Sequence, residues 1–410
     1  MSRTNWSWFV LIMVFVATGL NFLDRQVLSI VIIRIQREFD MSDVQYGMIN
    51  TAFLVGYGVM FTVAGRLIDK LGSKAGLAAS VGVWSLANCM HGVVNSFPQL
   101  LGFRLLLGLG EGGCFPGAAK TVNEWFGVKQ RGVANGIAIG GAAIGAVISP
   151  PLTIYISGHY GWRWSFVIPG LIGAAWVVAW LMLPKPPKGQ PGESHVQRAT
   201  STPFLNLLKD KSALTFIVIR FLLDPVVYFI MFWVPKYLNE ERRVSFERIG
   251  ELFWIPFLAL GISNIMGGWF SDRLVAAGFS VNKARKTVMG IAAAATLSVP
   301  FITSVSTPEI AVALMALFMF AHGFWITNYI TSISDIFGNT GTATVVGLSG
   351  TAGTLSSLLI NPMIGWVVQN YSYSPLWLIA GFLYPLAFVL LMVFIPAIRE
   401  RGTVRKPVET

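Results

Sequence analysis

The chain has 410 residues, of which 54% are hydrophobic and only 12% charged; soluble domains carry about 25% charged residues, so most of this chain must reside in lipid. Its formal charge of +11 could suit nucleic acid, but the Lys and Arg residues lie in short clusters between long apolar runs and build no continuous basic face. Cys89 and Cys114 both fall within apolar runs, which speaks against a disulfide framework and against a metal site.

A helix that crosses a bilayer needs about 20 mainly apolar residues. In chain order such windows fall at 6–33, 46–66, 76–95, 98–121, 133–157, 164–183, 213–236, 248–268, 287–305, 309–332, 344–368 and 375–396. The expectation is an all-α membrane protein with twelve transmembrane helices. The first run follows Arg3 but is too long for the apolar core of a signal peptide, so it is read as an uncleaved first span. The window at 248–268 is the weakest, with Glu251 near its start and Gly261, Gly267 and Gly268 inside it.

With a cytoplasmic amino terminus, most Lys and Arg outside the spans fall on the cytoplasmic side, as in Arg66, Lys70 and Lys74, or Lys283, Arg285 and Lys286. That bias places both termini in the cytoplasm. The polar stretch "PKPPKGQPGESHVQRATSTP" at 184–203 reads as a flexible linker in which His195 is solvated. The chain then divides into an N-terminal six-helix bundle at 1–183, a cytoplasmic linker at 184–212, a C-terminal six-helix bundle at 213–396 and a cytoplasmic tail at 397–410.

The two halves echo each other. "GRLIDKLGSK" after the second span and "GWFSDRLVAAG" after the eighth place Gly65 against Gly268 and Asp69 against Asp272 at one and the same offset. Glycine lets helices approach closely. An acid beside Lys or Arg, such as Arg273, can pair across a short loop and lock one arrangement of helices, so Gly65, Asp69, Asp272 and Arg273 are expected to act in gating. Parallel repeats of this kind put a substrate site near the midplane between halves.

Ionisable residues inside spans cost roughly 2.5 to 3.5 kcal/mol each by insertion scales and mark function by default. Four lie in the first half: Asp24 and Arg25 in "NFLDRQVLS", Arg104 and Glu111 in "RLLLGLGEGG". Asp24 and Arg25 are neighbours, about 100° apart around a helix, and need different partners. Arg104 and Glu111 are two turns apart on one face, separated by about 10.5 Å of rise. One consistent arrangement pairs Asp24 with Arg104 and Arg25 with Glu111. Two purely structural ion pairs would be a poor reason for the charges, since buried pairs contribute little net stability. A buried carboxyl can instead take up a proton and release its arginine, whose fork then holds a carboxylate.

The glycine–acid–base pattern at 65–74 resembles the signature of the major facilitator superfamily. "NFLDRQVLS" and "RLLLGLGEGGCFPG" at 104–117 resemble its anion:cation symporter branch. "RFLLDPVVYFIMFWVPKYL" at 220–238 and "SDRLVAAGFSVNKARKT" at 271–287 are similar to the bacterial hexuronate (glucuronate and galacturonate) members. The resemblance implies that Arg25 binds the substrate's carboxylate, that Asp24 and Glu111 carry the coupling protons, and that Arg104 balances Asp24 at the substrate site. Tyr57 matches a position that donates a hydroxyl to the anion. Tyr228, Asn328 and Thr354 are candidate sugar contacts by their neighbouring motifs. Ala142, in "GIAIGGAAIGAVISPP", stands about where galactonate-type relatives carry a glutamine.

The expected function is proton-coupled uptake of a sugar acid by alternating access, through a monomer in the bacterial inner membrane. Its partners are the sugar acid, protons and the lipid bilayer, with no nucleic acid and no cofactor beyond the coupling protons. Alternatives are symport of another organic anion, such as a hexonate or a small carboxylate, and phosphate-ester exchange. Exchange would want Arg220 opposite Arg25, but Arg220 lies about two turns to the cytoplasmic side of Tyr228, where arginine can snorkel to headgroups. Asp224, before Pro225, reads as a cap at a helix break, and His322 and Trp325 as packed residues. Multidrug efflux wants a broader apolar cavity. No nucleophile with a base, metal cluster or nucleotide loop points to an enzyme.

Overall fold

The computed structural model describes residues 3–185 and 209–398, without the side chains of residues 3–5, 61, 62, 65, 66, 69, 128, 129, 131–133, 339–341 and 343. His195, most of the expected linker and tail, and the side chain of Asp69 therefore lie outside the described residues, and Gly65 is described only by its place in the second helix. Within them all regular structure is helical. The helices are α1 (Arg3–Phe39), α2 (Asp43–Leu71), α3 (Ser73–His91), α4 (Phe97–Glu111), α5 (Cys114–Trp125), α6 (Val128–Tyr160) and α7 (Trp164–Met182). After the linker come α8 (Lys211–Glu240), α9 (Phe246–Leu252), α10 (Trp254–Ala276), α11 (Val281–Thr296), α12 (Pro308–Asn370) and α13 (Ser374–Phe394), with a short 3-10 turn at Val299–Thr303.

Local chemistry sets several of these boundaries. Ser42 and Gln45 form a reciprocal capping box at the start of α2, satisfying two backbone N–H groups that a helix start leaves bare. Asp210 caps α8 by accepting from Ser212 N and Ala213 N. Gly338, at φ 54° and ψ −149°, turns α12 into two arms that correspond to the separate windows expected at 309–332 and 344–368. Nine segments among the described residues are long and apolar enough to cross a membrane.

The expected single span at 98–121 is divided. Gly112 and Gly113 interrupt it between α4 and α5, because Pro116 has no N–H for the Gly112 carbonyl and its ring would clash there. The break leaves Glu111 as the last residue of α4, fully buried.

Packing brings the charged helices together. α1 lies along α6, α2 against α4, α3 against α7; α10 and α8 both pack on α12, and α2 crosses to α12. Where α2 meets α4 the approach is glycine against backbone: a Cβ on Gly108 would stand 2.8 Å from Tyr57 N, and one on Gly56 2.9 Å from Leu109 N. Such contact is the means by which membrane helices associate when lipid removes the hydrophobic drive. Near the α1–α2 loop, Tyr46 donates to the Phe232 carbonyl. There Trp233 Nε1 also donates to Asn361 Oδ1 at 3.2 Å, and Lys236 pairs with Asp43 at 2.9 Å. These contacts tie α2, α8 and α12 at one end of the molecule.

The α2–α4 seam is tested by substitution. Gly108→Val should abolish recovery of monodisperse protein from detergent, whereas Gly102→Ala in the same helix, where a Cβ meets nothing within 4 Å, should be recovered at wild-type level.

Candidate functional site

One turn of α1 carries Asn21, Asp24 and Arg25, all buried. Arg25 reaches α4: its Nε and Nη2 donate to Glu111 Oε2 at 3.1 and 3.0 Å, and Nη2 also donates to Asn21 Oδ1 at 3.2 Å. Glu111 Oε1 accepts nothing. Three rings surround the guanidinium, with centroids 4.8 Å (Phe22), 5.3 Å (Phe53) and 4.6 Å (Tyr57) from Arg25 Cζ. The aromatic faces attract the cation and keep the pair dry.

The expected Arg25–Glu111 pair is thus formed, and the expected Asp24–Arg104 pair is not. Both Asp24 oxygens, and Nε and Nη2 of Arg104, are buried without a hydrogen-bond partner. Asp24 lies instead beside Trp84 and Asn88 of α3, while Arg104 Cζ sits 5.7 Å from the Phe166 ring of α7. Spacing along α4 fixed which face Arg104 shares with Glu111; it carried no information about α3, whose side chains stand beside Asp24.

A cavity of about 300 Å³ opens beside this cluster, bounded by Arg25 and Phe22 of α1, Ala142 of α6, and Tyr228 of α8. The size is at the small end for ligand pockets, about 300 to 1,000 Å³. A larger polar hollow of about 480 Å³ lies at the α1–α2 loop around Lys236 and Asp43, away from the buried charges, and is not the candidate site. Ala142 does face the cavity, as its place in the sequence suggested. Tyr57 stacks between Phe53 and Arg25 and is not among the residues that line the cavity.

Across the cavity the structure corrects the reading of α8. Arg220 does not snorkel outward and Asp224 does not cap a break; both line the cavity, joined by Arg220 Nε at 3.1 and 3.0 Å from the two Asp224 oxygens. Pro225 lies inside a continuous α8, so the helix turns the i, i+4 pair inward. His322 also lines the cavity, with Nδ1 2.7 Å from the Tyr384 hydroxyl. Their signal in the sequence was the i, i+4 spacing of an acid and a base within a span.

Asn328 and Thr354 are not cavity residues. Asn328 Nδ2 donates to the Gly267 and Phe324 carbonyls at 3.0 and 2.9 Å, tying α12 to α10. Thr354 donates to Gly350 within its own helix and faces Gly58 of α2. At the end of α10, Asp272 pairs with Arg285 at 3.0 Å, which also holds Asp335 at 3.3 Å. Arg273 instead lies over the Trp269 ring at 5.1 Å. Adjacency in sequence had suggested Arg273 as the partner, but neighbours on a helix diverge by about 100°.

A family model described as Major Facilitator Superfamily matches residues 14–361. The Hexuronate transporter of Bacillus subtilis (strain 168) is 30% identical over 415 residues, covering 98% of this chain and 96% of that protein. The Probable galactarate/D-glucarate transporter GarP of Escherichia coli (strain K12) is 29% identical over 397 residues, covering 88% of each. The solved D-xylose-proton symporter matches with a TM-score of 0.78 at 14% identity, covering 97% of this chain and 99% of that one. That last likeness concerns the fold.

The two carboxylates should behave differently when neutralised. Removing one partner of a buried pair costs about 3 to 5 kcal/mol, so Glu111→Ala should lower the thermal midpoint in detergent. Asp24→Asn, which strands no cation bonded to Asp24, should leave it unchanged or raise it.

Proposed function

The chain belongs to the Major Facilitator Superfamily and is a multi-pass membrane transporter, not an enzyme; we propose that it takes up a hexuronate such as glucuronate or galacturonate together with protons. The observation that carries this reading is the Arg25–Glu111 pair, sealed by aromatic rings at the wall of a cavity sized for one small molecule. Relatives named for hexuronates and aldarates support a sugar acid as cargo.

The chemistry follows from the pair. With Glu111 ionised, the Nε–Nη2 edge of Arg25 is engaged and the two charges cancel. A proton entering from outside neutralises Glu111, whose hold on the guanidinium weakens. Arg25 then offers its fork to the substrate carboxylate, which two parallel N–H donors fit. The incoming proton and anion cancel, so loading through Glu111 leaves the net charge of the site unchanged. A second proton on Asp24 would make the loaded carrier more positive by one charge. The membrane potential would drive that charge inward by about 2.3 kcal/mol per 100 mV.

Release follows from alternating access. The twelve spans work as two six-helix bundles with both termini in the cytoplasm, rocking about the midplane cavity in the bacterial inner membrane, with a single chain as the unit. The contacts of Tyr46, Trp233 and Lys236 would close the outer end, and the Asp272–Arg285–Asp335 cluster would govern the inner one. Phosphate exchange is disfavoured because Asp224 stands at the cavity wall beside Arg220, the cation such exchange would need, and would repel a phosphate dianion.

Uptake of labelled hexuronates, hexonates and small carboxylates into proteoliposomes tests the proposal. Glucuronate or galacturonate should accumulate only with an inward proton gradient. Uptake indifferent to the gradient would remove the symport claim, and saturation only by phosphate esters would favour exchange. Arg25→Ala should abolish substrate binding, and Arg25→Lys should fail nearly as fully because a point charge lacks the fork. Glu111→Gln should keep counterflow exchange but lose gradient-driven accumulation; full accumulation would take Glu111 out of the coupling.

A further inference from the structure

The two ion pairs at the cavity differ in where the acid stands. Arg25 lines the cavity but its partner Glu111 lies behind it, at the end of α4. Arg220 and its partner Asp224 both line the cavity. Arg220 is engaged through Nε alone in its bonds to Asp224, so its two Nη groups are not used by that pair. α12 supports the pair: a Cβ on Gly353 would stand 2.8 Å from Asp224 Cβ, and one on Gly350 3.9 Å from Arg220 Nη1. Of the other titratable groups facing this space, Tyr228 stands one turn beyond Asp224 on α8, His322 is bonded to Tyr384, and Arg25 to Glu111.

An arginine beside a carboxylate presents donors and acceptors side by side with no net charge. A hydroxyl both donates and accepts, and can satisfy both members at once; a carboxylate only accepts, and Asp224 would repel it. From this geometry, and resting on the proposed sugar-acid uptake, we infer that Arg220 and Asp224 form a specificity subsite. It recognises the neutral, hydroxyl-bearing end of the substrate and excludes a second carboxylate. The transporter thereby selects hexuronates over aldarates, the diacids for which one of its relatives is named. Arg25 reads the anionic end, and α8 reads that the other end is not anionic.

Competition in proteoliposomes tests the inference. Unlabelled D-glucuronate and D-glucarate are titrated against uptake of labelled D-glucuronate by wild type and by Asp224→Asn. Facing like charges cost several kcal/mol when poorly solvated, so wild type should be inhibited at least about tenfold less well by glucarate than by glucuronate. Asp224→Asn, which leaves Arg220 uncompensated, should narrow that ratio by about tenfold or more. A matching Arg220→Gln variant should weaken inhibition by both acids without bringing glucarate closer to glucuronate. Glucuronate uptake by wild type with the two acids equally potent overturns the inference by itself, even if the variants cannot be recovered. A ratio unmoved in Asp224→Asn overturns it too. Both results leave the proposed function standing. Wild type that takes up neither glucuronate nor galacturonate contradicts the proposed function and this subsite with it.

Discussion

A guanidinium and a carboxylate sealed away from water, Arg25 against Glu111, are the constraint around which the rest of the molecule is arranged. Neither charge could remain alone in a lipid-embedded core, and together they add little to stability. Keeping them in register takes specific construction. Glycines on α2 and α4 bring those helices into backbone contact, which sets Tyr57 over the guanidinium. The break at Gly112 and Gly113, ahead of Pro116, ends α4 at Glu111, and Asn21 fixes Arg25 from within α1.

In the proposed uptake the cavity would read its ligand through unlike walls. On the α1 side the acid stands behind the base, so protonation can uncover a cation. On the α8 side acid and base share the surface and cancel, which suits hydroxyls. Asp24 occupies a third kind of environment, buried beside Trp84 and Asn88 with no bond to either oxygen.

Much of this was legible in the sequence, and the exceptions have a common cause. Helical class, most element positions and the Arg25–Glu111 pair follow from apolar windows and from spacing along single helices. What failed required knowing how each helix is turned and which side chains its neighbours present. Asp24 and Arg104 can be drawn as a pair on paper, but α3 supplies the neighbours of Asp24. Arg220 looked like a headgroup anchor from its depth, whereas the rotation of α8 turns it and Asp224 inward. Asn328 and Thr354 were matched through their neighbours and stand outside the cavity lining, Asn328 bonded to the Gly267 carbonyl of α10 and Thr354 to Gly350 of its own helix. The α4 break, by contrast, was written in "GEGGCFPG" and was read as continuous only because hydropathy windows do not see proline geometry.

The central claim is that a proton on Glu111 and a carboxylate on Arg25 travel together. The most direct measurement is the lumenal pH of proteoliposomes, followed with an entrapped pH dye as glucuronate is added outside with no gradient imposed. Wild type should acidify the lumen on substrate addition, and Glu111→Gln should not, although it still exchanges labelled substrate. Glucuronate entry by wild type without acidification would contradict the account.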